Sequence, residues 1–311
     1  MPPHTYYSKK RSVLSREHTP GKAGTAIAVT GQRLYTAVRC FGTAMAVPME
    51  NYHTHTARCK HAVGSVHDYV NAAINAGIGI LGISDHTPLP DGRWQDVRMH
   101  MNELADYCAE IHAARRDGIT VLTALECEDF PGYRGFYRDV LVPRVDYLIG
   151  GNHYFRMNGA MRGIYDDNIL GAAELSAYAQ HVIAAIGSGL YAFIAHPDLF
   201  GYAYHRWDAE TQAVSRDICS AAKSFGVPLE INGYGMRKRP VPSADGERAP
   251  YPWEPFWEIA GSIGAPVVIN SDAHRPEDVA AGIPEGYAIA ERYGLRMHAF
   301  YTANDAPRTT R

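Results

Sequence analysis

Seven histidines and two carboxylates stand out because each follows a short apolar run and each is a residue type that binds divalent cations. Taken singly, a histidine in such a place is more often a hydrogen-bonded structural residue than a ligand. Here such residues recur at the ends of successive segments, and this recurrence favours the role of metal ligand. So many uncomplexed imidazoles and carboxylates in one concave site would be costly to desolvate. A cluster of divalent cations removes that cost. The nine residues are His53, His55, His61, His86, Glu126, His153, His196, Asp272 and His274.

Two pairs within this set have the spacing i, i+2, namely His53 with His55 and Asp272 with His274. On a strand this spacing places both side chains on the same face, so each pair can chelate one ion or flank two. Glu126 is the lone glutamate of the set, and we expect its carboxylate to bridge neighbouring cations.

Asp85 immediately precedes His86 at the end of an apolar run. It could orient a ligand histidine through a hydrogen bond, which carboxylates commonly do at metal sites, or it could cap a loop. We expect the orienting role.

The elements that must position these residues alternate short apolar runs, typical of strands, with longer amphipathic segments, typical of helices. This repetition predicts an α/β fold with parallel strands, and seven units without a linker favour a closed or nearly closed β/α barrel. The nine residues would then lie at the C-terminal rim of the strands, next to two irregular insertions, 151–171 and 233–253. The predicted strands are 50–54, 78–84, 119–126, 145–150, 190–195, 227–232 and 266–270. The predicted helices are 65–76, 97–117, 172–188, 208–225 and 254–263, with another starting at 276.

In this order the motifs resemble the PHP (polymerase and histidinol phosphatase) superfamily, over about residues 49–295. Further segments are similar to its histidinol-phosphate phosphatase branch, although Gly151-Asn152-His153 differs from the Ser-Val-His expected there. The superfamily motifs are the HxH of 53–55, His61, Ser-Asp-His at 84–86, Glu126, His153, His-Pro at 196–197 and Ser-Asp-Ala-His at 271–274. The branch segments are 84–90, 98–104, 229–232, 235–238 and 271–279.

The resemblance implies a distorted (β/α)7 barrel, similar to a TIM barrel, that binds two or three divalent ions, Zn, Mn or Fe. The implied reaction is hydrolysis of a phosphomonoester by a hydroxide held between ions, with histidinol phosphate of histidine biosynthesis as the leading substrate. Glu126, His196 and Asp272 would be the catalytic residues. The implied ligand sets are His53, His55, Glu126 and Asp272 for one ion, Glu126, His153 and His196 for a second, and His61, His86 and His274 for a third.

A phosphomonoester dianion also favours a fixed cation from the protein. Arg237, Lys238 and Arg239 follow the sixth predicted strand and are best placed, with Arg237 preferred for a bidentate contact. The alternative for this trio is a solvated basic loop. Arg98 and Arg162 are weaker candidates.

The whole chain has 311 residues, a net charge of −3 and 46% hydrophobic residues, which fits one large globular domain. No run approaches the length of a membrane span, so no membrane partner is expected. Residues 1–44 differ, with seven Lys or Arg against one Glu, and we expect 45–311 to form the catalytic domain. For 1–44, a disordered tail or an upstream start codon is favoured over a targeting peptide, because no apolar segment with a cleavage site is present.

Five widely spaced cysteines without a CxxC pair indicate neither a disulfide framework nor a thiolate zinc site, which favours a reducing, cytoplasmic setting. The expected partner is a small phosphomonoester. A nuclease or nucleotide phosphatase of the same fold is an alternative, but the acidic balance outside 1–44 predicts no basic groove for nucleic acid. A non-catalytic metal-binding module is a more distant alternative, because a closed structural site needs only four ligands.

Overall fold

Parallel strands form the centre of the computed structural model, which describes residues 25–30, 33–38, 49–165 and 170–300. The strands are β1 (Thr25–Thr30), β2 (Arg33–Val38), β3 (Met49–Asn51), β4 (Ile78–Ile83), β5 (Thr120–Cys127), β6 (Tyr147–Gly150), β7 (Tyr154–Met157), β8 (Ala160–Gly163), β9 (Phe193–Ile194), β10 (Leu229–Asn232), β11 (Val241–Ser243), β12 (Gly246–Arg248), β13 (Pro266–Asn270) and β14 (Arg296–Met297). Eight of them form one sheet in the order β14-β13-β10-β9-β6-β5-β4-β3, with every neighbouring pair parallel. The seven predicted strands are all present, and β14 joins them as an eighth.

Helices connect successive strands of this sheet, as predicted for parallel pairing. They are α1 (Val66–Ala76), α2 (Leu104–Ala113), α3 (Arg134–Phe136), α4 (Ala172–Gly187), α5 (Ala209–Phe225), α6 (Glu254–Ile263) and α7 (Ile283–Arg292). The first helix is capped locally, since Ser65 and Asp68 form a reciprocal capping box and Gly77 ends the helix with a φ of 76°.

Two predicted helices are shorter or later than the sequence pattern suggested. The segment 97–117 forms α2 only from Leu104, after a 3-10 turn at Met101–Glu103. The helix expected at Pro276 is a single 3-10 turn, Pro276–Asp278, and α7 begins after Gly282, whose φ of 80° separates the two. Proline suits a first turn but does not ensure that the helix continues.

The sheet approaches barrel closure only at the carboxyl ends of its strands. Within the described ranges, no ladder joins β14 to β3. Beyond these ladders, however, an isolated parallel bridge links Thr54 to Ala273, and the His55 N–H donates to the Ala273 carbonyl at 2.8 Å. The first and seventh predicted strands therefore meet at the rim, and the predicted barrel is open below it.

The inside of the curved sheet is filled by an apolar layer beneath the polar rim. Its buried members are Tyr52, Leu122, Ala124, Tyr147, Ile149, Ala192, Phe193, Ala195 and Val268. The Tyr147 hydroxyl donates to the Tyr52 carbonyl at 2.5 Å and lies directly over Gly82, where a Cβ would come 1.8 Å from the hydroxyl oxygen. This layer is a packed core, so the chemistry is confined to the rim above it.

The two predicted insertions each contain an antiparallel hairpin, β7–β8 in the first and β11–β12 in the second. Both follow the carboxyl ends of sheet strands. A third hairpin, β1–β2, falls within the basic segment 1–44, of which residues 1–24, 31–32 and 39–44 lie outside the described part of the chain. In the described ranges, no helix is long and apolar enough to cross a membrane.

Gly82→Ala should destabilise the protein, because its Cβ would collide with both the Tyr147 hydroxyl and the Tyr52 carbonyl oxygen, 2.7 Å away. We expect the free energy of unfolding, measured by urea denaturation, to fall by about 1–3 kcal/mol. Gly132→Ala is the matched control, since its Cβ would meet nothing within 4 Å. Equal stability of the two variants would contradict this packing.

Candidate metal centre

The structure brings all nine predicted side chains together at the carboxyl-end rim. Seven of them are buried, whereas His153 is half-buried and His61 is exposed. Glu126 lies at the middle, with its Oε2 3.0 Å from His86 Nδ1 and its Oε1 3.1 Å from His196 Nε2. The nine side chains therefore form one continuous centre with Glu126 in its middle.

Ligand atoms within this centre form groups small enough to hold single ions, with all atoms of a group within 4.8 Å of one another. One group is part of the first predicted ligand set and another equals the third set. In a third group His86 stands where the prediction had His196 beside Glu126 and His153. The groups are His53, His55 and Asp272; His61, His86 and His274; His86, Glu126 and His153; and His55, Cys59 and His86.

Five of the histidines present their Nδ1 atom to an acceptor that is not one of the nine side chains. A hydrogen bond of this kind fixes the tautomer with the proton on Nδ1 and turns the lone pair of Nε2 toward the centre. The acceptors are Glu230 Oε1 for His53 (2.8 Å), Cys59 Sγ for His55 (3.2 Å), the Cys59 carbonyl for His61 (2.6 Å), Glu128 Oε1 for His153 (2.7 Å) and the Asp272 carbonyl for His274 (3.1 Å).

This anchoring makes the Nε2 atoms of neighbouring histidines confront one another. His53 Nε2 lies 3.0 Å from His55 Nε2, and His61 Nε2 lies 3.1 Å from His274 Nε2. With both Nδ1 atoms of each pair already donating, two lone pairs face each other unless a proton or a cation lies between them. Asp272 Oδ1 is likewise buried with no hydrogen-bond partner among the described residues. This donor set fits divalent cations.

The electrostatics of the centre favour negative carboxylates and act in opposite directions on different imidazoles. Burial alone would raise the pKa of Glu126 and of Asp272, but the neighbouring imidazoles hold both pKa values well below the usual range. Burial lowers the pKa of His86 and of His274 well below the usual value. His53 and His153 differ, because nearby carboxylates outweigh burial and raise the pKa of His53 well above normal and that of His153 above normal. Ionised carboxylates and neutral imidazoles are the forms that bind metal.

Two strand ends reach the centre through unusual backbone conformations. His196 and Asp272 have positive φ values of 31° and 48°, a region that residues other than glycine rarely adopt. Gly151 is required for a different reason, since a Cβ there would lie 2.7 Å from Glu126 Oε1. Strain and close approach of this kind are typical of functional sites.

Two buried glutamates position the centre and were not predicted. Glu230 accepts from His53, from the His196 N–H at 3.1 Å, and from two asparagine side chains at 2.7 and 2.8 Å. Glu128 accepts from both the N–H and the Nδ1 of His153. A charged residue inside the apolar strand Leu229–Asn232 was the available signal for Glu230.

Asp85, which we expected to orient a ligand histidine, makes its side-chain hydrogen bonds to Thr56 and Cys59. Its two oxygens accept from the N–H and the hydroxyl of Thr56, both at 2.9 Å, and Oδ1 lies 2.9 Å from Cys59 Sγ. The sequence did not single out Cys59, which lies between Asp85 and His55. Burial raises the pKa of the Cys59 thiol well above its usual value, so the sulfur keeps its proton.

The cations predicted to bind phosphate have different environments. Arg237 Nη1 donates to the Gly233 and Ala281 carbonyls and Nη2 to the Ser271 carbonyl, all at 3.0 Å. The expectation that Arg237 provides a bidentate phosphate contact is therefore at odds with a guanidinium already engaged with the backbone. Lys238 Nζ instead lies over the rings of Tyr165 and Tyr234, 4.9 and 4.3 Å from their centroids.

The remaining arginine candidates are also partnered or exposed. Arg98 is buried and donates to the Thr87 carbonyl at 2.9 Å, although its Nε has no partner in the described part of the chain. Arg162 pairs with Glu174 at 3.5 Å, and Arg239 is exposed.

Known proteins resemble this chain in sequence. Residues 51–233 match the family described as PHP domain. A protein of Deinococcus radiodurans named probable histidinol-phosphatase is 34% identical over 247 residues, which cover 73% of this chain and 86% of that protein. A protein of Shewanella sp. (strain MR-4) named probable phosphatase is 25% identical over 227 residues, 71% of this chain and 75% of that protein.

Two solved structures resemble the chain in fold. A putative histidinol phosphatase from Listeria monocytogenes superposes with a TM-score of 0.64 at 20% identity, covering 76% of this chain and 99% of that one. The histidinol phosphate phosphatase of Lactococcus lactis, solved with zinc, L-histidinol and phosphate, superposes with a TM-score of 0.62 at 15% identity, covering 82% and 97%. At such identities the likeness supports the fold alone.

Glu230→Gln should weaken metal binding, because an amide group would place N–H donors against the donors that the carboxylate now accepts from. We expect the affinity for Zn²⁺, measured by chelator competition, to fall about 10–100-fold. Asp129→Asn is the matched control, since Asp129 is equally buried but contacts Arg134 and Tyr191 instead of the centre. Unchanged affinity in a folded Glu230→Gln protein would refute the positioning role.

Proposed function

The chain belongs to the PHP domain family and is a metal-dependent phosphatase, and we propose that its substrate is L-histidinol phosphate, which it hydrolyses to L-histidinol and phosphate. The observation that carries the chemistry is the centre itself, where ionised carboxylates and Nδ1-anchored imidazoles converge. The choice of substrate is supported by the relative named probable histidinol-phosphatase, which shares 34% of its residues over most of both chains. We further propose that residues 45–311 form one catalytic domain.

We propose that the nine residues hold two or three divalent ions, of zinc, manganese or iron, with Glu126 shared between sets. When bound, the ions would supply an acidified water and neutralise phosphoryl oxygens. The chain's own residues hold the ligand atoms in the orientation that metal binding requires. Glu230 and Glu128 hold the Nδ1 protons of His53 and His153 away from the centre, so no rotation of these imidazoles is needed on binding.

Lys238 is the best-placed cation for the substrate phosphate. Tyr234 stacks on His274 with centroids 4.4 Å apart, and Tyr165 stacks on His153 at 6.1 Å. Because Lys238 Nζ lies against both tyrosines, its ammonium is held above the centre and between the two insertions. Burial lowers the pKa of Lys238, although Asp272 opposes that effect, and a phosphate dianion would restore the preference for the charged form.

Hydrolysis rates across a panel of phosphomonoesters, with elemental analysis of the same sample, test the proposed substrate. L-Histidinol phosphate should have the highest kcat/KM. A nucleoside monophosphate as the best substrate would overturn the proposed specificity while leaving the phosphatase assignment intact.

Glu126→Ala and His53→Ala should each abolish phosphatase activity and reduce bound metal, because each removes a donor from the centre. The expected loss in kcat is at least about a hundredfold. Circular dichroism should show a folded protein in both cases. Near-normal turnover by either variant would mean that the centre is not catalytic.

Lys238→Met should raise the KM for a phosphomonoester about tenfold or more with metal content unchanged, because it removes a charge-assisted contact and keeps the apolar stem. Arg239→Met is the matched control. Arg239 is the exposed neighbour of Lys238 and, among the described residues, has no cation–π contact with a ring over the centre. A KM that shifts equally in both variants, or in neither, would place the phosphate contact elsewhere.

A further inference from the structure

A buried thiol lies directly behind the candidate ligand His55. Cys59 ends a 3-10 turn, Ala57–Cys59, that begins at Thr56, and its side chain is 0% exposed. Three groups surround the sulfur at hydrogen-bond distance. They are Asp85 Oδ1 at 2.9 Å, the His86 N–H at 3.1 Å and His55 Nδ1 at 3.2 Å.

The directions of these hydrogen bonds follow from what each group can do. The Asp85 oxygens already accept from Thr56, so the carboxylate is an acceptor for the thiol proton. The backbone N–H of His86 can only donate to the sulfur. With its own proton directed at Asp85, the sulfur is left to accept from His55, which therefore carries its proton on Nδ1.

We propose that Cys59 is a positioning residue that relays the orienting effect of Asp85 to His55 and keeps the lone pair of His55 Nε2 facing the centre. Four other candidate ligands are held by a carboxylate or a backbone carbonyl, whereas His55 is held by a carboxylate acting through a thiol. The four are His53, His61, His153 and His274. This proposal rests on the proposed role of His55 as a metal ligand.

The alternative role for Cys59 is direct metal ligation, since its sulfur lies within 4.8 Å of donor atoms of His55 and His86. The geometry disfavours that role. The nitrogen of His55 that faces the sulfur is Nδ1, while Nε2 faces His53 at 3.0 Å and Asp272 Oδ1 at 3.1 Å. The thiol is thus on the outer side of the imidazole, away from the other donors.

The tautomer of His55 in the metal-free protein gives the first test. Long-range ¹H–¹⁵N NMR correlations report which imidazole nitrogen carries the proton, and the His55 signals are assigned by their loss in His55→Gln. Wild type and Cys59→Ser should show the Nδ1-protonated form. Cys59→Ala should show a mixture of tautomers, and retention of the pure Nδ1-protonated form would overturn the proposal.

Metal affinity gives the second test. Cys59→Ala should weaken Zn²⁺ binding about 10–100-fold in chelator competition, and Cys59→Ser should restore most of that loss. Cys219→Ala is the matched control, since it deletes an equally buried thiol in α5, away from the centre. Equal losses in the serine and alanine variants would assign the effect to packing and overturn the relay.

Two further measurements keep the proposal testable if Cys59→Ala does not fold. Asp85→Asn weakens the acceptor for the thiol proton without a cavity and should also reduce Zn²⁺ affinity; unchanged affinity would count against the relay. A sulfur-to-cobalt charge-transfer band in Co²⁺-loaded wild type, absent from Cys59→Ser, would show direct ligation instead. None of these readouts uses turnover, so wild type that binds Zn²⁺ but hydrolyses no phosphomonoester would refute the proposed function separately.

Discussion

The need to gather seven imidazoles and two carboxylates in one buried rim is the constraint on which the rest of the structure depends. Each imidazole has two nitrogens. When the outer nitrogen of a neutral ring donates its proton to a protein acceptor, the inner nitrogen carries a lone pair and needs a donor or a cation. The confronting Nε2 atoms of His53 and His55, 3.0 Å apart, show the result. A cation between such nitrogens would remove any repulsion between their lone pairs, so this donor arrangement fits divalent ions.

Closure of the rim follows from the same constraint. In the described ranges no ladder joins β3 to the far edge of the sheet, and side chains add to the backbone bridge between Thr54 and Ala273. Asn51 Nδ2 donates to Ser271 Oγ at 2.7 Å, and Asn270 donates to Glu230, which also holds His53. These amides and the carboxylate join β3, β10 and β13 at the level of the metal donors. The network that orients the ligands therefore also fixes the curvature of the sheet at this end, where precision within the centre is needed.

The sequence predicted the strands and the convergence of the nine residues, because both depend on local patterns repeated along the chain. Contacts between distant segments of the chain were harder to predict from the sequence. Glu128 and Glu230 are ordinary glutamates until the fold places His153 and His53 beside them. Helix ends were also difficult, since only the geometry at Gly282 separates the 3-10 turn at Pro276–Asp278 from α7. The number of strand–helix units also does not indicate that the strands of the barrel meet at one end only.

The neighbouring residues Arg237 and Lys238 show why cation type alone does not predict which side chain is free to contact an anion. A bidentate guanidinium suits phosphate, yet it suits backbone carbonyls as well. Asp272 adopts a left-handed backbone conformation that costs about 1–3 kcal/mol, and Arg237 donates to the carbonyl of Ser271 directly before it. The arginine therefore holds the backbone next to this strained residue of the centre. Lys238, one residue later, lies against two rings instead, so its charge remains available to an anion entering from above.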